Sequence, residues 1–268
     1  MKNWPFWIGC LAAILIIVLY LQFFKTDQTE TVSVPAPVAQ PATPQQPLHP
    51  IEEAVVEPDA AEPIVDTSQP LPELQQSDER VEDVLQRLFA EQNLGRYFLL
   101  EHIIERFVVM VDNLPRQDLP VTHRPLKKIS GKFLVEKQAG DLTLAAANYD
   151  RYAPVIRLLE KADRKQVIAV YAAFYPLFQE AYATLGYPDR YFNDRLVEVI
   201  DHLLQTPIVK GPIRLVQPKA LYLFADPALE ELSAGRKILI RTGPYNAERI
   251  KQILRSYRKQ LVATEVAH

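Results

Sequence analysis

The chain has 268 residues and a formal net charge of −3, and its only cysteine, Cys10, lies in an apolar N-terminal segment. The rest therefore has no disulfide, no thiolate nucleophile and no cysteine-based zinc site. The charge is unevenly placed: Lys25 to Glu79 carries one lysine against eleven acidic residues, so an acidic stretch precedes a mildly basic remainder.

Trp4 to Phe24 is a run of 21 residues without a charge. As a helix it would span about 31 Å, the thickness of a hydrocarbon core. Trp4, Phe6 and Trp7 stand at one end and Tyr20, Phe23 and Phe24 at the other, as in an interfacial aromatic belt. The run is long for a cleaved signal and ends Leu21-Gln22-Phe23-Phe24-Lys25, without the small residues a peptidase needs. The expectation is an uncleaved anchor over residues 1–25, with the short N-terminal tail inside and the rest of the chain outside the cytoplasm. That makes it a single-pass membrane protein with an extracytoplasmic domain.

Residues 26–76 read as a disordered linker. Ten prolines fall between Pro35 and Pro72 and no glycine occurs, so little apolar surface is available to offset chain entropy. Such a spacer would reach about 40 Å as a coil and about 150 Å when extended.

From residue 77 to 263 helical patterns dominate, and 264–268 reads as a disordered tail. Ser77 is placed to cap a helix over 78–91, with Val81, Val84, Leu85 and Leu88 at helical spacing. A second helix is expected from Arg96 to Asn113, although the β-branched run Phe107–Val111 leaves a strand open. Pro115, Pro120 and Pro125 break the pattern over 113–131. Lys132–Glu136 and Leu142–Ala146 can pair as a hairpin around Ala139-Gly140-Asp141.

Further helices are expected over 149–162, 164–185 and 193–205. The second carries an aromatic stripe of Tyr171, Phe174, Phe178 and Tyr182, with a kink at Pro176. Residues 207–225 read as extended, with a short strand over Leu221–Phe224. Asp226-Pro227 opens a short helix, and Ser233 reads as a cap. A last helix runs over 246–262. The fold class is mainly α: a single helical-bundle-like domain with a minor β-hairpin, behind one transmembrane helix.

The segments "LPELQQSDERVEDVL", "RFVVMVDNLPR", "HRPLKKISGKF", "NYDRYAPVIRLLEKAD", "GYPDRYFNDRLVEVIDHLL", "GPIRLVQPKALYLFADPALEELSAG" and "GPYNAERIKQIL" together resemble the bacterial domain-of-unknown-function family 3014. The resemblance extends over nearly all of Leu71 to Val262. It implies a bacterial envelope protein with this anchor, linker and domain order, which puts the expected anchor in the inner membrane and the domain in the periplasm, and it brings no activity with it.

Sites of chemistry are scarce. His102 with Glu105, and Glu198 with His202, each share a helix face and could meet as a metal site, but surface or capping roles fit them better. No serine stands in a Gly-x-Ser-x-Gly context. The paired carboxylates Asp112 and Asp118, and Asp189 and Asp194, lie near turns, but spacing alone does not make an acid–base pair. Thr242-Gly243-Pro244 resembles half of a helix-hairpin-helix, where a glycine at a helix start lets backbone N–H groups approach phosphate. Arg241 stands where the usual first glycine would be, and a simple turn explains the residues as well. The tyrosines between Tyr149 and Tyr191 fit a core better than a sugar or peptide groove.

The expected function is a non-catalytic interaction or scaffold module without cofactor or metal. The alternatives are an enzyme with an unrecognised polar site, and binding of nucleic acid or an anionic polymer through the basic C-terminal region. The expected partners are the lipid bilayer, through Trp4 to Phe24, and an unknown envelope protein or anionic surface; nucleic acid ranks below these. The expected contact residues are Arg116, Arg124, Lys127 and Lys128, on a proline-stiffened loop that is long for a compact domain.

Overall fold

A computed structural model describes residues 46–51, 64–66, 68–89, 94–120, 125–127 and 131–263. The span Trp4–Phe24, the residues Arg124 and Lys128, and the tail 264–268 lie outside the described residues. Among the described residues, no helix is long and apolar enough to cross a membrane.

The domain is mainly helical, with one small antiparallel sheet. Helix α1 covers Asp78–Leu88 and buries Val81, Val84, Leu85 and Leu88, the stripe its spacing dictates. Ser77 does not cap it with its side chain. A 3-10 turn at Leu74–Gln76 leads straight into the helix, and Ser77 Oγ donates back to the Leu74 carbonyl at 2.7 Å.

Helix α2 covers Ile103–Asn113, seven residues shorter at its start than the periodicity predicts. Residues 97–99 are taken by another partner. Phe98 bridges Leu126, Leu99 N–H donates to the Pro125 carbonyl, and Lys127 N–H donates to the Tyr97 carbonyl. The run Phe107–Val111 is helical, because Phe107, Val108 and Val111 all face the interior.

The hairpin forms as its turn residues require. Strands β1 (Val135–Gln138) and β2 (Asp141–Leu144) pair antiparallel, and Ala139 and Gly140 both take positive φ, 51° and 93°. Two more strands, β3 (Arg214–Val216) and β4 (Leu223–Phe224), extend it to a four-stranded sheet in the order β1-β2-β3-β4. Leu144, Ile213, Leu215, Phe224 and Ile240 form a small second core under this sheet.

The helix expected over 149–162 is two helices, α3 (Ala147–Asp150) and α4 (Ala153–Glu160). Pro154 has no N–H to give to the carbonyl one turn earlier, so the helix restarts there. Helix α5 (Arg164–Thr184) runs through Pro176 without ending. Helix α6 (Phe192–Leu204) follows a Gly186 turn at φ 102°. Asp226 caps the short α7 (Pro227–Glu230) through Ala228 N–H. Ser233 caps α8 (Ala234–Arg241), a helix the periodicity did not reveal. Helix α9 spans Pro244–Ala263.

The main core lies where α2, α5, α6 and α9 pack together. Phe178 and Phe192 stack at 5.8 Å, and Phe107 meets both rings edge-on. Tyr171 and Tyr182 are buried there, so the aromatic stripe of α5 is core and no groove.

Candidate functional site

Helix α6 begins without a capping side chain of its own, because Tyr191 at the N-cap makes no such bond. One face of α5 supplies what is missing. Gln179 Oε1 accepts the Phe192 N–H at 2.9 Å, while its Nε2 donates to the Arg190 carbonyl at 2.8 Å. Tyr175 OH donates to Gln179 Oε1 at 3.2 Å, and Tyr171 OH donates to Asn193 Oδ1 at 3.3 Å. Residues 171, 175 and 179 are one turn apart, so a single stripe of α5 grips the start of α6. Burial pushes the Tyr175 phenol up to about 12, against the lowering effect of the Asn193 backbone N–H. The phenol therefore remains a donor at neutral pH.

This framework presents Asn193 and Asp194 to a segment far away in the chain. Asp194 accepts Leu48 N–H at Oδ2 (3.0 Å) and His49 N–H at Oδ1 (2.8 Å). Asn193, fully buried, donates from Nδ2 to the His49 carbonyl at 2.8 Å. Ile51 packs against the main core. A second stretch of the span read as linker is also seated on the domain. Val65 is buried, and Arg80 donates to the Asp66 and Pro70 carbonyls at 2.7 Å each.

Near the other residues singled out by sequence, the carboxylate of Asp112 forms an ion network. Arg116 Nη2 approaches it at 2.7 Å and Arg195 Nε at 3.0 Å, while Tyr187 OH lies 3.4 Å away. Burial opposes the charge of Arg195, but the Glu198 hydrogen bond and the Asp112 and Glu198 charges outweigh it and raise its pKa. Of the four expected contact residues, the structure describes two. Arg116 is exposed yet tied to Asp112, and Lys127 is exposed with its backbone bonded to Tyr97.

The two histidine pairs serve separate places. His102 Nδ1 meets Glu105 at 3.4 Å beside the α2 start, where Asp78 accepts the His102 N–H. His202 Nε2 lies 2.7 Å from Ser233 Oγ, and Glu198 pairs with Arg195. Among the described residues, no group of three or more His, Cys, Asp or Glu could hold a metal ion.

Gly243 has φ 89°, and a Cβ there would lie 2.6–2.7 Å from the Tyr149 ring. Its missing side chain makes room for that ring, so the close approach is aromatic and leaves no opening for phosphate. Arg241 is buried, with its guanidinium 4.5 Å from the Phe224 ring centre. An open-sided recess between α1 and α2 is lined only by apolar residues, including Val81, Phe98, Phe107 and Phe178, and brings no ionisable group to a substrate.

Sequence reasoning missed Asn193 and the seat of residues 46–51. The two prolines flanking Leu48 and His49 were the available signal, but nothing local links them to a helix more than 140 residues later. Asp194 was noted only as a carboxylate near a turn.

A family model described as protein of unknown function (DUF3014) matches residues 103–258, from the start of α2 into α9. No curated protein and no solved structure gives a match.

Proposed function

This chain belongs to the DUF3014 family of proteins of unknown function, and from that premise we propose that it is a non-catalytic interaction module, held at a bacterial inner membrane through Trp4–Phe24 with its helical domain in the periplasm. The observation that carries the interaction reading is the seat at the start of α6, where the domain already holds a peptide segment by its main chain. The polar groups elsewhere support it. Asp112, Glu160 and Asp201 are engaged by Arg116 and Arg195, by Arg249 and by Arg258, contacts that join elements of the fold. In this reading Arg116, Arg124, Lys127 and Lys128 are further contact residues for an anionic partner.

Two measurements test the proposal. A phosphatase fused after His268 is expected to be active in a Gram-negative host, and an active cytoplasmic reporter at that position would overturn the topology. A photo-crosslinking residue placed at position 48 or 127 in living cells is expected to yield adducts with another envelope protein. Their absence from both positions would remove the interaction reading.

A further inference from the structure

The hydrogen bonds that hold residues 46–51 all go to backbone atoms of the segment, and Ile51 adds an apolar contact with the main core. The three hydrogen bonds use Leu48 N–H, His49 N–H and the His49 carbonyl. Leu48 is 69% exposed. The buried His49 Nδ1 has no partner among the described residues. Neither side chain therefore supplies a hydrogen bond to this grip. Pro50 disfavours helical backbone at His49, and the chain bends at Leu48 and His49, which brings both N–H groups to the one carboxylate. Bonds to main chain are sequence-tolerant, the property that lets extended peptides be held through their backbone atoms while side chains vary.

The receiving atoms do not depend on the segment for their positions. Phe192 N–H is capped by Gln179, Asn193 is held by Tyr171, and Asp194 stands in the first turn of α6, where the helix dipole favours its charge. The seat is thus framed by α5 and α6 whether or not residues 46–51 occupy it.

We propose that Asn193 and Asp194 form a main-chain clamp for a bent, proline-flanked peptide, occupied in cis by residues 46–51, and that the clamp takes an equivalent segment of another envelope protein when the cis segment is displaced. The proposal rests on the interaction reading and names its ligand class. The cis segment acts as a built-in competitor. Joined to the domain by the short stretch 52–63, it has an effective concentration on the order of millimolar. A partner must exceed that to enter, so the clamp fills only where partner peptide is locally abundant or binds more tightly.

The test uses the full chain in detergent and a fluorescent peptide copying residues 44–53. Leu48→Pro combined with His49→Pro deletes both N–H donors of the cis segment and leaves the domain untouched. This variant is expected to bind the peptide at least about tenfold more tightly than wild type, because the competitor is gone. Leu48→Ala keeps both donors and should match wild type. Adding Asp194→Ala to the double-proline chain should remove the gain, with an unchanged melting curve showing that the domain remains folded. A second peptide with alanine in place of leucine and histidine, with its isoleucine and all three prolines kept, should bind within about fivefold of the first, as main-chain recognition requires. The proposal is overturned if the double-proline chain binds no better than wild type, if Asp194→Ala has no effect, or if the alanine peptide fails to bind. Adducts formed in cells alongside any of these results would leave the interaction reading in place and remove only the clamp.

Discussion

Arg195 holds Asp112 twice: its Nε bonds the carboxylate at 3.0 Å and its Nη2 bonds the backbone carbonyl of the same residue at 2.8 Å. The pair joins the end of α2 to the first turns of α6. The Asp112 side chain is 5% exposed and that of Arg195 18% exposed. Removing one partner of so enclosed a pair leaves the other charge without adequate compensation. Arg195→Met is expected to cost about 2–4 kcal/mol, and Asp112→Asn, which keeps shape and some bonding, about 1–2 kcal/mol. Urea titration checks this: the midpoint should fall with little change in slope. A midpoint within error of wild type for Arg195→Met would show that the network is dispensable.

His202 makes stability sensitive to acid. Ser233 Oγ accepts the Arg236 N–H as the cap of α8, and its own proton is then free for His202 Nε2. That arrangement needs a neutral imidazole. Burial lowers the His202 pKa below its usual 6.5, and the charges of Arg236 and Arg195 lower it further despite Glu198. Between the lowered value and 6.5 the unfolded chain binds more protons than the folded one, so stability falls as pH drops through this window. Above 6.5 the contribution is complete. Unfolding midpoints at pH 7.5 and pH 5 should therefore differ less in His202→Gln than in wild type. An equal difference would exclude His202 as a source of acid sensitivity.

Gly235 lies in the first turn of α8, where its N–H donates to the Leu114 carbonyl at 3.0 Å. An added Cβ would come within 2.9 Å of that same backbone oxygen and 2.8 Å of Leu203 Cδ2. Leucine can rotate away, but a backbone oxygen at the end of α2 cannot without shifting the helix. Gly235→Ala should cost about 1–3 kcal/mol by overpacking. Adding Leu203→Ala should not restore the loss, and full recovery in that double variant would place the conflict at the side chain.

The basic loop divides into two tests. Arg116→Ser removes an ion-pair partner of Asp112, so its effects mix stability with contact. Arg124→Ser, Lys127→Ser and Lys128→Ser together spare that network. The triple variant is expected to fold normally and to lose salt-sensitive capture of an anionic partner. Unchanged capture at every salt concentration would free the loop from that role.

Most helices could be read from apolar spacing because their partners lie within the same few turns. Val81, Val84, Leu85 and Leu88 mark α1, and Leu196, Val199, Ile200 and Leu203 mark α6. The hairpin was equally legible, because Gly140 accepts the positive φ of a tight turn, and Ala139 is carried into it at φ 51°. What escaped depends on remote partners. Residues 97–99 look helical until Pro125–Lys127 claims their backbone groups. Strands β3 and β4 have three and two residues, too few for alternation to register. Helix α8 announced only its cap at Ser233. At the candidate site, Asp194 carried an ordinary helix-start signal, and its bond to His49 has no local trace in either segment.

Seating residues 46–51 also shortens the leash. In a chain anchored through Trp4–Phe24, twenty residues, 26–45, separate Lys25 from the first seated residue. Even fully stretched they cover at most about 70 Å. If the clamp lets go, the next seat is at residue 64, and the 38 residues of 26–63 can cover at most about 130 Å. In a chain so anchored, three hydrogen bonds at the start of one helix would set the greatest standoff of the domain from the bilayer, and a ligand that displaces residues 46–51 would nearly double it.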